Sequence, residues 1–137
     1  MASVLYFDGL CEPINPGGIA CCGYVIKSDG KLLEAGCNLA ARRSTNNVAE
    51  YTALIRGLDG LVRLGIKGAV VRGDSQLVIR QMTGEYAVRA SRILPLYERA
   101  IDLAQRAGVT RFEWVPRTNN TEADALSRRA YAAVVGR

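Results

Sequence analysis

The sequence predicts an α/β fold built on a five-stranded mixed sheet, three antiparallel strands followed by parallel ones and flanked by helices, in the order βββαβααβα. Three observations carry that expectation. Two β-rich runs joined at Ser28-Asp29-Gly30 carry a hairpin signal, so the chain opens as an antiparallel meander. From Thr45 onward the apolar spacing turns helical, then alternates with short apolar runs, the pattern of strands connected through helices. The length of 137 residues suits one domain with one real core.

Each element has its own signal. Ser3–Asp8 reads as a strand from Val-Leu-Tyr-Phe, and Gly9–Gly18, with three glycines and two prolines, as a loop. Ile19–Lys27 and Leu32–Ala41 are the hairpin strands. Thr45-Asn46-Asn47 offers helix caps, and Val48, Tyr51, Thr52, Ile55, Leu58 and Val62 recur at helical spacing until Gly65 stops the helix. Ala69–Arg72 is a short strand ending at Gly73-Asp74. Leu77–Met82 is a short helix, and Ile93–Ala107 a longer one closed by Gly108. Arg111–Val115 is the last strand, with the single tryptophan, Trp114, expected in the core. Thr121–Val135, rich in alanine, is the final helix. No repeat, low-complexity tract or linker interrupts the chain, so residues 1–137 are expected to form a single domain.

Composition narrows the function classes. Hydrophobic residues at 49% and charged residues at 23% argue for a globule rather than disorder. No apolar run approaches the roughly 18 residues of a membrane span. The start, Met1 to Asp8, lacks a basic region, so a signal peptide is not expected and a cytoplasmic location is. A net charge of +5 is mild evidence for a polyanionic partner such as nucleic acid. The absence of histidine removes the usual base near neutral pH and excludes a His-based triad or an imidazole zinc site. The cysteines at 11, 21, 22 and 37 form no C-x-x-C and read as reduced, buried small hydrophobes; whether Cys21 or Cys22 bonds Cys37 across the hairpin stays open.

Four carboxylates stand out. Asp8 and Asp74 end strands, while Glu50 and Asp124 fall in the first turns of helices that can face the same sheet edge, where ligands of open α/β sheets bind. Each alone has a structural reading as a cap, a capping-box partner or a turn residue. Asp8 is hardest to read that way, because a buried charge wants a cation. Together, with no histidine present, they suit Mg²⁺, which prefers hard oxygen ligands. Two such ions can serve phosphodiester hydrolysis.

The motifs carrying these acids run through the chain in order: Tyr6-Phe7-Asp8-Gly9, Asn15-Pro16-Gly17-Gly18, Thr45-Asn46-Asn47-x-x-Glu50, Gly73-Asp74-Ser75-Gln76 and Asn120-x-x-Ala-Asp124. On them the chain resembles the type 1 ribonuclease H family. The resemblance implies the ribonuclease H-like fold and endonucleolytic cleavage of the RNA strand of RNA–DNA hybrids, leaving 3′-hydroxyl and 5′-phosphate ends. It implies two Mg²⁺ ions, with Mn²⁺ as a possible substitute, held by Asp8, Glu50, Asp74 and Asp124. Asp8 would bridge both ions, Asp124 would complete the site that activates water, and Glu50 and Asp74 would hold the second ion.

Selection of a hybrid needs a sensor for the 2′-hydroxyl. The family's pattern falls here on Asn46, Asn47, Gln76 and the backbone at Gly9 and Cys11. The DNA-strand phosphate would sit at Asn15, Arg43 and Thr45, and Asn120 joins the substrate-binding set. Two departures matter. The histidine many relatives carry before the last helix is absent, and Arg117, which cannot act as a base, stands in that loop. The segment Gly84–Arg92 is short, with only Arg89 and Arg92 where many relatives carry a basic, tryptophan-containing protrusion. No protein partner is evident, and a monomer is expected. The competing readings are a catalytically silent nucleic-acid-binding module and another ribonuclease H-like nuclease, such as a resolvase or transposase core. The intact acid set argues against the first, and the Asn46, Asn47 and Gln76 set against the second.

Overall fold

A computed structural model describes residues 2–136. Its elements are β1 (Ser3–Glu12), β2 (Gly18–Ser28), β3 (Lys31–Ser44), α1 (Asn46–Leu64), β4 (Val70–Gly73), α2 (Gln76–Met82), α3 (Leu94–Arg106), β5 (Arg111–Trp114) and α4 (Thr121–Val134). A 3₁₀ turn at Arg117–Asn119 precedes α4. The strands form one mixed sheet in the spatial order β3-β2-β1-β4-β5. β1 pairs antiparallel with β2, β2 antiparallel with β3, and β4 runs parallel to both β1 and β5. This is the expected five-stranded mixed sheet.

The hairpin turn is the pair Asp29-Gly30, both at positive φ (51° and 79°), closed by Ser28 opposite Lys31. α1 starts where Thr45 Oγ1 accepts the Val48 N–H at 3.2 Å, and stops at Gly65, whose φ of 70° an L side chain would resist. Its inner residues Tyr51, Leu54, Leu58 and Leu61 are fully buried against Leu5, Phe7, Ile26 and Val71 of the sheet. Each such side chain stabilises the fold by about 2 kcal/mol. The Tyr51 hydroxyl, carried into this core, donates to Gln81 Oε1 at 2.7 Å and ties α1 to α2. α4 covers the opposite face, where Ala130 packs on Leu10 and Cys21.

Three expectations change. β1 runs through Glu12 instead of ending at Asp8, because β2 pairs with it as far as Glu12 opposite Ile19 and holds Gly9-Leu10-Cys11 extended. β3 runs on to Ser44 through an irregularity in which Arg42 and Arg43 lie between the pairs Ala20–Ala41 and Gly18–Ser44, and Arg43 takes a φ of 50°. Trp114 is 45% exposed rather than in the core, since β5 is an edge strand; its Nε1 donates to the Asp74 carbonyl at 3.1 Å.

The four thiols are free, with Cys21 and Cys22 fully buried. Among the described residues no helix is long and apolar enough to cross a membrane.

Candidate active site

Two close approaches between glycine and backbone assemble the acids. A Cβ on Gly9 would lie 2.4 Å from the Ala49 carbonyl carbon and the Glu50 nitrogen, so only glycine lets α1 rest on β1 at this point. A Cβ on Gly23 would lie 2.7 Å from the Ala123 carbonyl oxygen. Gly23 is the cross-strand partner of Asp8. Cross-strand partners share a sheet face, so seating α4 on Gly23 sets Asp124 beside Asp8. The parallel ladder between β1 and β4 ends at Phe7 opposite Gly73, which leaves Asp8 and Asp74 as the next residues of both strands.

Asp8, Glu50 and Asp74 each offer a carboxylate oxygen, and the three atoms lie within 4.8 Å of one another. Asp124 lies close enough for its charge to bear on Asp8. Asp8 is 5% exposed and Glu50 3%. Burial first, then the charges of Asp74 and Asp124, pushes the Asp8 carboxyl up from 3.8 to about 8. Burial, then Asp8 and Asp74, holds Glu50 well above the usual carboxylate range, against an opposing hydrogen bond from the Gly9 backbone and the more distant charge of Arg117. Glu50 Oε1 is buried with no hydrogen-bond partner. Crowded carboxylates with an orphaned oxygen are stable as anions only around a cation, and an all-oxygen donor set suits Mg²⁺ or Mn²⁺. The residues fit a divalent metal.

None of these acids is used as a cap. Thr45 caps α1, placing Glu50 in the second turn rather than the first. Ser75 Oγ accepts the Val78 N–H at 3.2 Å and caps α2, which leaves Asp74 unengaged. Asp124 remains in the first turn of α4, as expected.

A cleft of about 160 Å³ contains all four acids together with Gly9, Cys11, Asn46 and Arg117. The remaining expected contacts lie outside its lining. Asn15 Oδ1 accepts the Asn46 N–H at 3.0 Å, which brings the loop before β2 against the β3–α1 junction that carries Arg43 and Thr45. Asn47 lies beside Asn46, and Gln76 is exposed at the start of α2. Cys11 donates its thiol hydrogen to the Ile14 carbonyl at 3.2 Å.

Asn120, expected in the substrate-binding set, lies in the interior at the head of α4. It is 2% exposed, and its Nδ2 donates to the Phe7 carbonyl at 2.8 Å. The Asp124 N–H in turn donates to the Asn120 carbonyl at 3.1 Å. Asn120 is thus a strut fastening the start of α4 to the residue before Asp8.

Three lining residues lie outside the set expected from sequence: Leu10 and the charged pair Glu12 and Arg128. Arg128 Nε lies 3.2 Å from Asp124 Oδ2. The i,i+4 spacing from Asp124 was a usable signal for Arg128. Glu12 carries no such signal, because only pairing with β2 makes it part of β1.

Sheet order and acid cluster define the ribonuclease H-like class. A family model described as "Reverse transcriptase-like" matches residues 7–130. The chain is 43% identical over 119 residues to the "Bifunctional protein Rv2228c" of Mycobacterium tuberculosis, covering 87% of this chain. It spans only about a third (33%) of that relative's length. The solved N-terminal ribonuclease H domain of the same relative superposes with a TM-score of 0.91 at 39% identity, covering 98% of this chain and 96% of that one. Ribonuclease H1 from Halobacterium salinarum gives 0.88 at 34% identity, with coverage of 97% and 99%. LC11 ribonuclease H1, solved in complex with an RNA/DNA hybrid, gives 0.89 at 32% identity, also with 97% and 99%. The chain belongs to the type 1 ribonuclease H family.

Proposed function

We propose that this chain is a metal-dependent endoribonuclease, a single ribonuclease H domain, that cleaves the RNA strand of RNA–DNA hybrids to 3′-hydroxyl and 5′-phosphate ends. The observation that carries the reading is the buried carboxylate cluster of Asp8, Glu50 and Asp74 with its orphaned Glu50 oxygen, in a chain of this family. The hybrid-bound LC11 relative supports the substrate class.

Asp8 and Asp124 would hold one divalent ion, and Asp8, Glu50 and Asp74 the other. When bound, the two ions supply activation of water and neutralise the charge that develops on the leaving oxygen. The protein's own residues orient and select. Gly9 and Gly23 hold Glu50 and Asp124 against Asp8, so the acids need no rearrangement to converge. Asn46 in the cleft lining, its neighbour Asn47 and Gln76 would offer amides that both donate to and accept from a 2′-hydroxyl. Arg43, with Asn15 and Thr45, would take a phosphate of the DNA strand. Arg117 adds positive charge beside the acids, where it would attract product phosphate but could not carry a proton at neutral pH. Monomeric action in the cytoplasm belongs to the same proposal, and sedimentation of the purified protein tests the first part.

The experiment is cleavage of a labelled RNA–DNA hybrid beside DNA duplex, RNA duplex and single strands, each with Mg²⁺, Mn²⁺ or EDTA. Cleavage confined to the hybrid's RNA strand and abolished by EDTA is expected. Undiminished cleavage in excess chelator refutes the metal mechanism, and equal cleavage of the DNA duplex refutes the substrate assignment.

A further inference from the structure

The acids that could share one cation at close range are Asp8, Glu50 and Asp74. Asp124, the fourth acid of the cleft, is engaged elsewhere: its Oδ2 faces Arg128 Nε at 3.2 Å, one turn along α4. Arg128 is 57% exposed and stands at the edge of the cleft, where it is one of the lining residues. Glu12, the exposed residue at the end of β1, and Asp8 line the same cleft as Arg128. Arg128 therefore shares the cleft with Glu12, an acid outside the proposed metal ligands, as well as with Asp124 and Asp8, which are proposed ligands.

We infer that Arg128 is a positioning residue that acts as a built-in counter-ion of the metal site: it occupies Asp124 while the cation is absent and moves toward Glu12 when the cation takes Asp124. The inference rests on the metal-dependent reading above and deepens it. Its physical basis is competition. A guanidinium and a divalent ion cannot both approach one carboxylate oxygen without repelling each other. The positive charge on Arg128 thus opposes cation entry on the Asp124 side and leaves the Asp8–Glu50–Asp74 side less affected. Glu12 lowers that opposition by receiving Arg128. A surface i,i+4 ion pair with no such role would add only a little helix stability and leave metal affinity alone.

The test is calorimetric titration of the full chain with MnCl₂, without nucleic acid and at low salt. Arg128→Ala should bind Mn²⁺ about fivefold more tightly than wild type, the effect of one unit charge a few ångströms away in a water-accessible site. Arg128→Lys should stay near wild type, because the charge remains. Glu12→Gln should weaken Mn²⁺ binding, and most of that loss should vanish in the Glu12→Gln/Arg128→Ala double variant, because Glu12 acts through Arg128. Circular dichroism of each variant checks folding, which an exposed substitution should preserve. Unchanged or weaker Mn²⁺ affinity in Arg128→Ala overturns the counter-ion role while leaving the metal site standing. An equal Glu12→Gln effect with and without Arg128 overturns the exchange between partners. A wild-type chain that binds no Mn²⁺ overturns this inference, while the EDTA arm of the cleavage assay decides the metal-dependent reading separately.

Discussion

Replacing Asp8 by asparagine should make the metal-free protein more stable, and only at high pH. The wild-type Asp8 carboxyl keeps its proton up to about pH 8 in the folded protein, against an ordinary value of 3.8. Between those two pH values the folded chain binds more protons than the unfolded one, so stability falls as pH rises and the loss is complete above pH 8. At about 1.4 kcal/mol per pH unit, that interval sets a ceiling of roughly 6 kcal/mol on the penalty for ionising Asp8. Glu50 and Asp74 stay in place in the variant, so part of the crowding persists and a gain of about 2–4 kcal/mol at pH 9 is expected. For a domain of this size, that raises Tm by about 7–14 °C. Thermal unfolding in EDTA at pH 4 and pH 9 measures it. At pH 4 the two proteins should nearly coincide, because both sites are largely neutral. Mg²⁺ at pH 9 should stabilise the wild type and barely affect the variant, and the variant should have lost most hybrid cleavage. A variant less stable than wild type at pH 9, or a gain that is the same at both pH values, would refute this account of the cluster.

Gly9→Ala places a methyl 2.4 Å from the Glu50 nitrogen and should cost about 3 kcal/mol in urea unfolding while displacing Glu50 and lowering kcat; unchanged stability would show that α1 moves freely on β1. Hybrid affinity should fall steeply with salt, and Arg43→Ala should reduce the log–log slope by about 1; an unaltered slope places Arg43 away from phosphate. Arg117→Ala should lower kcat on the order of tenfold, with partial recovery in Arg117→Lys, as one charge-assisted contact would. Because the chain has no histidine, the pH–rate profile should show no imidazole ionisation near 6.5. A full rate in Arg117→Ala would make Arg117 a solvated loop cation.

Much of the architecture is local and so is legible in the chain. The Asp29-Gly30 turn, the apolar stripe from Val48 to Val62 and the alternation after it depend on neighbours a few residues apart, and those residue types state their preference directly. The four acids were legible for another reason: each sits in a short motif whose order and spacing are visible before any folding. What escaped depends on partners far away in sequence. β1 passes Asp8 because β2 pairs beyond it, and no property of Gly9-Leu10-Cys11 announces that. Trp114 looked like core by composition, but an edge position leaves it half exposed. Asn120 is drawn into the interior by a carbonyl 113 residues earlier, at Phe7, which its own surroundings in sequence do not announce. Which residues carry charge, and roughly where strands and helices lie, follows from side-chain chemistry and short-range spacing along the chain. Only the tertiary structure decided that Asp8, Glu50, Asp74 and Asp124 meet in one cleft, that Glu50 is left with an orphaned oxygen, and that Arg128 stands over Asp124. Those facts arise from two helices seated on Gly9 and Gly23 from opposite faces of one sheet, a juxtaposition that packing creates and no local preference encodes.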